Sequence, residues 1–169
     1  MKAITRWYLL GIFGALTLLG VAYFYFQLYL ELVPCPLCMF QRAALVGVIA
    51  FCLFALLHRP AALGQRIYCI LIAFSSAIGA GIAGRQVWLQ HLPAEEVPVC
   101  GMDPIYRWAE SVGEDFSFID MISTTLKGSG DCAEISWMFF GLSIGGWMLV
   151  VFSLMCALSL LLCIKAPTQ

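Results

Sequence analysis

The chain has 169 residues, of which 62% are hydrophobic and 11% charged, with a formal net charge of −1. That length allows one compact domain, and so apolar a composition excludes an ordinary water-soluble one, so a lipid bilayer is the natural solvent. A near-neutral chain with no basic run also excludes nucleic acid as a partner, because nothing in it could track a phosphate backbone.

A helix needs about 20 mostly apolar residues to cross the hydrocarbon layer. The first segment that qualifies covers about residues 7–28, with no charge between Arg6 and Glu31. A cleaved signal peptide is the rival reading, since Lys2 and Arg6 precede the run, but the run exceeds the roughly 7–15 apolar residues of a signal core. A short loop follows, about 29–38, containing Glu31-Leu-Val-Pro-Cys-Pro-Leu-Cys38. Its prolines at 34 and 36 interrupt any continuous helix. The second span is expected over about 39–57, with Arg42 near its start, and the third over about 67–89.

A long second loop, about 90–145, holds Cys100 and Cys132. Loops of that length without a fold of their own are usually functional. Within it, Ile105, Trp108, Val112, Phe116 and Ile119 recur at spacings of three and four, with Glu110, Asp115 and Asp120 between them. That pattern predicts an amphipathic helix on the membrane surface, and Gly113 in mid-pattern keeps an irregular loop as the alternative. Lys127-Gly-Ser-Gly-Asp131 is expected to act as a hinge before Cys132. No charge occurs from Ile135 to Ile164, and Gly141, Gly145 and Gly146 suggest a break before a fourth span of about 146–164. The expected fold is therefore an all-α integral membrane protein, one membrane domain over 1–169. It is a four-transmembrane-helix bundle with a short first and a long second outer loop.

Orientation follows from the short basic flanks. Lys2, Arg6, Arg59, Arg66 and Lys165 fall on one side of a four-span chain, which is then cytoplasmic and carries both termini. All 10 acidic residues fall in the two loops on the other side.

The eight cysteines divide in the same way. Cys52, Cys69, Cys156 and Cys163 lie in spans or near their cytoplasmic ends, where cysteine serves as a small packing residue. Cys35, Cys38, Cys100 and Cys132 lie on the outer face, which is the periplasm in a bacterium with two membranes, and disulfides persist there. A bridge between Cys100 and Cys132 would close a loop worth roughly 3–4 kcal/mol, a purely structural reading of that pair. A bridge between Cys35 and Cys38 would close almost nothing, and Cys-x-x-Cys is the spacing of reversible dithiol exchange. Zinc on all four is the metal alternative, but structural zinc sites usually combine two closely spaced pairs, so no metal is expected. Cys38 lies at the start of the second span, where the positive end of the helix dipole favours a thiolate. Arg42, one turn on, shares its helix face and is the expected electrostatic partner, with snorkelling to headgroups as the alternative. Arg85 and His91, near the outer end of the third span, could equally anchor to headgroups.

Cys35-Pro-Leu-Cys38-Met-Phe-Gln-Arg42, the four-span frame, two separated loop cysteines, and Gly130-Asp-Cys132-Ala-Glu134 followed by Trp137 together resemble the DsbB family over essentially the whole chain. The resemblance implies a protein-dithiol:quinone oxidoreductase of the bacterial inner membrane. Its loop pair, Cys100 with Cys132, would oxidise a periplasmic thioredoxin-fold protein of the DsbA kind, with Cys100 the sulfur attacked and Cys132 the relay. Cys35 with Cys38 would then reoxidise the loop pair, and a quinone, ubiquinone or menaquinone, would lie beside Cys38 and Arg42. His91 takes the place of a histidine near the quinone in some members, although the local sequence differs. Gln41 departs from the best-known member, which carries a glutamate before the arginine. The chemistry is coherent: a DsbA-like oxidant lies above the glutathione pool in potential, so its reoxidation needs a sink outside the thiol pool. Two other functions compete. A vitamin K epoxide reductase-like enzyme places its Cys-x-x-Cys late in the chain, whereas here the pair precedes the second span. A membrane scaffold with structural disulfides would make Cys35 and Cys38 matter only for stability.

Overall fold

The computed structural model describes residues 2–93 and 130–165. The expected amphipathic segment, most of the proposed hinge and Cys100 lie outside the described residues.

Among the described residues four helices are long and apolar enough to cross a membrane, so the protein is a multi-pass membrane protein with the four-helix fold expected from its sequence. In lipid every backbone N–H and C=O must be satisfied within the protein, and helices do this segment by segment. Helix α1, Lys2–Gly20, continues into a π-helical segment, Val21–Tyr29, to form the first span. Helix α2, Pro36–His58, begins with proline inside its first turn, where the missing N–H costs nothing. It ends at Arg59, which adopts the left-handed conformation (φ +43°) while its N–H bonds the Ala55 carbonyl at 3.2 Å. Pro60 follows, and α3, Ala62–Gln90, returns after this three-residue link.

When the chain re-enters the described region it forms the short helix α4, Gly130–Ala133, then a tight hairpin. Strands β1, Met138–Phe139, and β2, Leu142–Ser143, pair antiparallel with Met138 opposite Ser143. The two turn residues, Phe140 (φ +50°) and Gly141 (φ +78°), both have positive φ, the pattern that matches strand twist in two-residue hairpins. Glycine adopts this freely, whereas phenylalanine is strained there. Helix α5, Ile144–Lys165, starts directly after β2. Ser143 caps it by accepting the Gly146 N–H at 3.2 Å and ties it to α3 by donating to Gln90 Oε1 at 2.6 Å.

Helix α3 packs against both α2 and α5, and α1 packs against α2. Three apolar clusters stack along the bundle. Tyr8, Val48, Cys52, Cys69 and Ile72 fill one end, against Leu162 and Cys163, so the start of α1 and the end of α5 meet there. Ala15, Ala44, Leu45 and Phe152 fill the middle. Cys35, Leu37, Leu89 and Cys132 fill the other end. Large side chains such as Phe13, Phe74 and Leu154 point outward, as the apolar solvent permits.

Small residues let the helices approach, which is how packing is achieved where lipid removes the hydrophobic driving force. A Cβ at Gly79 of α3 would overlap the ring of Phe152, which is fully buried. Gly14 of α1 has open space around it. Gly79→Ala should therefore destabilise the bundle by about 1–3 kcal/mol, the usual cost of overpacking. Thermal unfolding in detergent should show a lowered midpoint for Gly79→Ala and none of this loss for Gly14→Ala.

Candidate active site

The site is built on the first turn of α2. Cys35 is the N-cap, in extended conformation, and its sulfur accepts the Cys38 N–H at 3.4 Å. The cap satisfies one of the four backbone donors that every helix start leaves without an intrahelical partner, and it brings the two sulfurs together. Cys35 Sγ donates to Cys38 Sγ at 2.8 Å, both as free thiols.

Cys132 comes from α4, which packs against α3, and it is fully buried beside Cys35, Leu37 and Leu89. Its thiol is in hydrogen-bond contact with Cys35. Hydrogen bonds from Cys132 and Cys38, together with burial, push the Cys35 thiol well above the usual cysteine range. Cys35 is therefore held protonated between two other sulfurs. Of the four cysteines singled out from the sequence, the structure brings together Cys35, Cys38 and Cys132, while Cys100 lies outside the described residues.

Beside Cys38 lies a cavity of about 340 Å³, within the range of small-molecule sites. Its apolar walls come from α1 and the π segment (Leu18, Val21, Phe26), from α2 (Leu45) and from α5 (Met148, Val151). Cys38, Gln41, Arg42 and Gln86 line it with polar groups, as do Gln90, Glu134 and Ser143. The hairpin closes another wall with aromatic rings: Trp137 meets Phe26 edge to face at 5.1 Å and stacks on Phe139 at 5.7 Å. Trp147 of α5 pins this wall by donating from Nε1 to the Phe139 carbonyl at 3.0 Å.

Arg42 is half-buried and lines the cavity. Its guanidinium donates to Gln27 Oε1 at 2.6 Å and to the Ala22 carbonyl at 3.2 Å, both in the π segment. A guanidinium carries five N–H donors, so among the described residues others are left to face a ligand oxygen. His91 caps α3, exposed, with Nδ1 on the Val87 carbonyl at 2.7 Å, and is not among the residues lining the cavity. Arg85 stacks over the Trp88 ring at 4.2 Å.

Two residues went unnoticed in the sequence. Gln27 holds Arg42, and Gln86 of α3, only 4% exposed, places its amide 3.5 Å from Cys38 Sγ. The available signal was an amide inside an apolar run, since polar groups in a span need partners. Among the described residues no group of three or more His, Cys, Asp or Glu could hold a metal ion.

The chain is similar to known proteins. The family model for "Disulfide bond formation protein DsbB" matches residues 4–162. A protein named disulfide bond formation protein B from Marinobacter nauticus is 43% identical over 148 residues, 88% of this chain and 84% of that one. Proteins of the same name from Methylococcus capsulatus (43% over 154 residues, 91% and 90%) and Nitrosococcus oceani (39% over 161 residues, 95% and 92%) match comparably. A four-span bundle that gathers the sulfurs of a Cys-x-x-Cys pair and a loop cysteine at one end is matched over nearly its whole length, and the chain belongs to the DsbB family.

Proposed function

We propose that this protein is a protein-dithiol:quinone oxidoreductase of the bacterial inner membrane, which reoxidises a periplasmic thioredoxin-fold partner of the DsbA kind and so supports disulfide bond formation. The observation that carries the reading is the contact of Cys35 with both Cys38 and Cys132 beside a largely apolar cavity. Basic residues in the short flanks support an orientation with both termini cytoplasmic and the sulfurs on the periplasmic face.

The exchange balances as follows. A partner thiolate attacks Cys100 of the Cys100–Cys132 disulfide, and the partner's second thiol resolves the mixed disulfide, leaving the partner oxidised and Cys100 and Cys132 as thiols. Cys132 then attacks Cys35 of the Cys35–Cys38 disulfide, expelling Cys38 as a thiolate. Cys100 resolves the Cys132–Cys35 bond, which restores the loop disulfide and leaves Cys35 and Cys38 reduced. Two electrons and two protons have moved from the partner to the Cys-x-x-Cys pair. The contact between Cys132 and Cys35 supports the second step, because thiol exchange requires the attacking sulfur to reach the bond it breaks.

The cavity fits a quinone head group, with apolar walls for the ring and donors among its polar groups. When bound, a quinone, ubiquinone or menaquinone, supplies the sink for two electrons and two protons. Cys38, at the cavity and at the positive end of α2, is the sulfur placed to give up charge. Arg42 orients the ligand by offering N–H donors to a ring oxygen, and Gln27 and the Ala22 carbonyl hold the guanidinium in place. Phe26, Trp137 and Phe139 add an aromatic wall to the same cavity that Cys38 lines.

Two outcomes test the reading. Purified protein in detergent, mixed with a reduced DsbA-like protein and a short-chain quinone, should reduce the quinone in step with thiol loss. Cys38→Ser should abolish turnover, and Arg42→Ala should raise the quinone KM about tenfold or more, the loss of a charge-assisted hydrogen bond. Absence of quinone dependence, with both variants behaving as wild type, would return Cys35 and Cys38 to a structural role. Separately, the elevated Cys35 thiol stays protonated at neutral pH. Alkylation of the reduced protein should therefore modify Cys38 before Cys35, and the reverse order would contradict the assigned asymmetry.

A further inference from the structure

The buried amide of Gln86 takes no part in the exchange scheme, yet both of its ends are committed. Its Oε1 accepts a hydrogen bond from Gln41 Nε2 at 2.7 Å, and its Nε2 lies 3.5 Å from Cys38 Sγ and 3.7 Å from Cys35 Sγ. Gln41 is 2% exposed and Gln86 4%, so neither can exchange these partners for water. Helix α5 makes room for the pair: a Cβ at Gly145 would lie 3.0 Å from Gln86 Cδ and 3.1 Å from its Oε1. Three helices thus converge on one amide, α2 through Gln41, α3 through Gln86 itself and α5 through a missing side chain.

The direction of that amide matters chemically. An N–H aimed at sulfur stabilises negative charge on it, whereas an amide oxygen aimed at sulfur accepts an S–H and stabilises the neutral thiol. Gln86 Oε1 is itself 3.8 Å from Cys38 Sγ, within reach of such a contact. By donating to that oxygen, Gln41 keeps it occupied and leaves the Gln86 N–H groups for the sulfurs. We propose that Gln86, oriented by Gln41, adds its N–H to the Cys35 thiol in holding Cys38 as the electron-donating thiolate, so that this amide pair tunes the reactivity of the sulfur facing the cavity. This deepens the oxidoreductase reading and rests on it for its catalytic meaning.

The test is alkylation of the fully reduced, full-length protein in detergent by iodoacetamide at neutral pH. Fragment mass spectrometry separates Cys38 from Cys35, and the half-buried Cys156 of α5 serves as an internal control. Gln86→Leu, close in volume but without the amide, should slow Cys38 about tenfold, the loss of one hydrogen bond to a charged group, with Cys156 unchanged. Gln41→Met should slow Cys38 by less, and should slow it no further when added to Gln86→Leu, because Gln41 acts only through Gln86. Gly145→Ala retains both amides but displaces Gln86, so it too should slow Cys38, and it serves in place of Gln86→Leu should that variant fail to fold. Wild-type rates in Gln86→Leu and Gly145→Ala would overturn the proposal. So would a Gln41→Met effect of equal size with and without Gln86. Alkylation requires no quinone, so a wild-type protein that reduces no quinone would remove the oxidoreductase reading without altering this result.

Discussion

Cys35 caps α2 with its own sulfur, and Pro36 sets the backbone of the turn that follows. From that one local arrangement the geometry of the site unfolds. The cap holds Cys35 within contact of Cys38, points both sulfurs at the end of the bundle, and puts Cys38 among the unpaired N–H groups of a helix start. Arg42, one turn further along, then necessarily faces the same cavity as Cys38. A different start to α2 would separate the sulfurs from each other, from Cys132 and from the arginine at once.

The second constraint is the cost of polar groups in a span. Arg42, Gln27, Gln41 and Gln86 all lie within helices otherwise suited to lipid, and each is matched to another polar group. The π segment serves this directly. Residues Val21–Tyr29 depart from the α-helical bond pattern, and the Ala22 carbonyl and the Gln27 side chain both bond the guanidinium. Such segments are rare and concentrate at functional sites. Here the departure lies where the first span meets the arginine of the second.

The hairpin after α4 links the loop cysteine to the cavity. Residues 134–137 lead from Cys132 to the strands, so the segment that carries the relay sulfur also supplies Trp137 and Phe139 to the cavity wall. Phe140 accepts a strained backbone at the turn, which allows the strands to reverse within two residues and lets Ser143 cap α5. Sulfur exchange and the cavity are thereby built on one short stretch of chain.

Much of this was legible in the residues. Four apolar runs, too long for anything but spans, determined the bundle, because in lipid no other open structure satisfies the backbone. The arginine four residues after Cys38 put those two site residues on one helix face by periodicity alone, and the Cys-x-x-Cys spacing marked Cys35 as the partner sulfur. What no local pattern could express is which distant groups meet. That Cys132 reaches Cys35, that Gln27 anchors Arg42 and that Gln86 lies against both sulfurs depends on which helices are neighbours and how they are rotated. Those choices are made by close packing, as where Gly79 admits Phe152 and Gly145 admits Gln86. A glycine in the sequence marks only that a side chain is missing, and the partner that fills the space is decided by the tertiary structure.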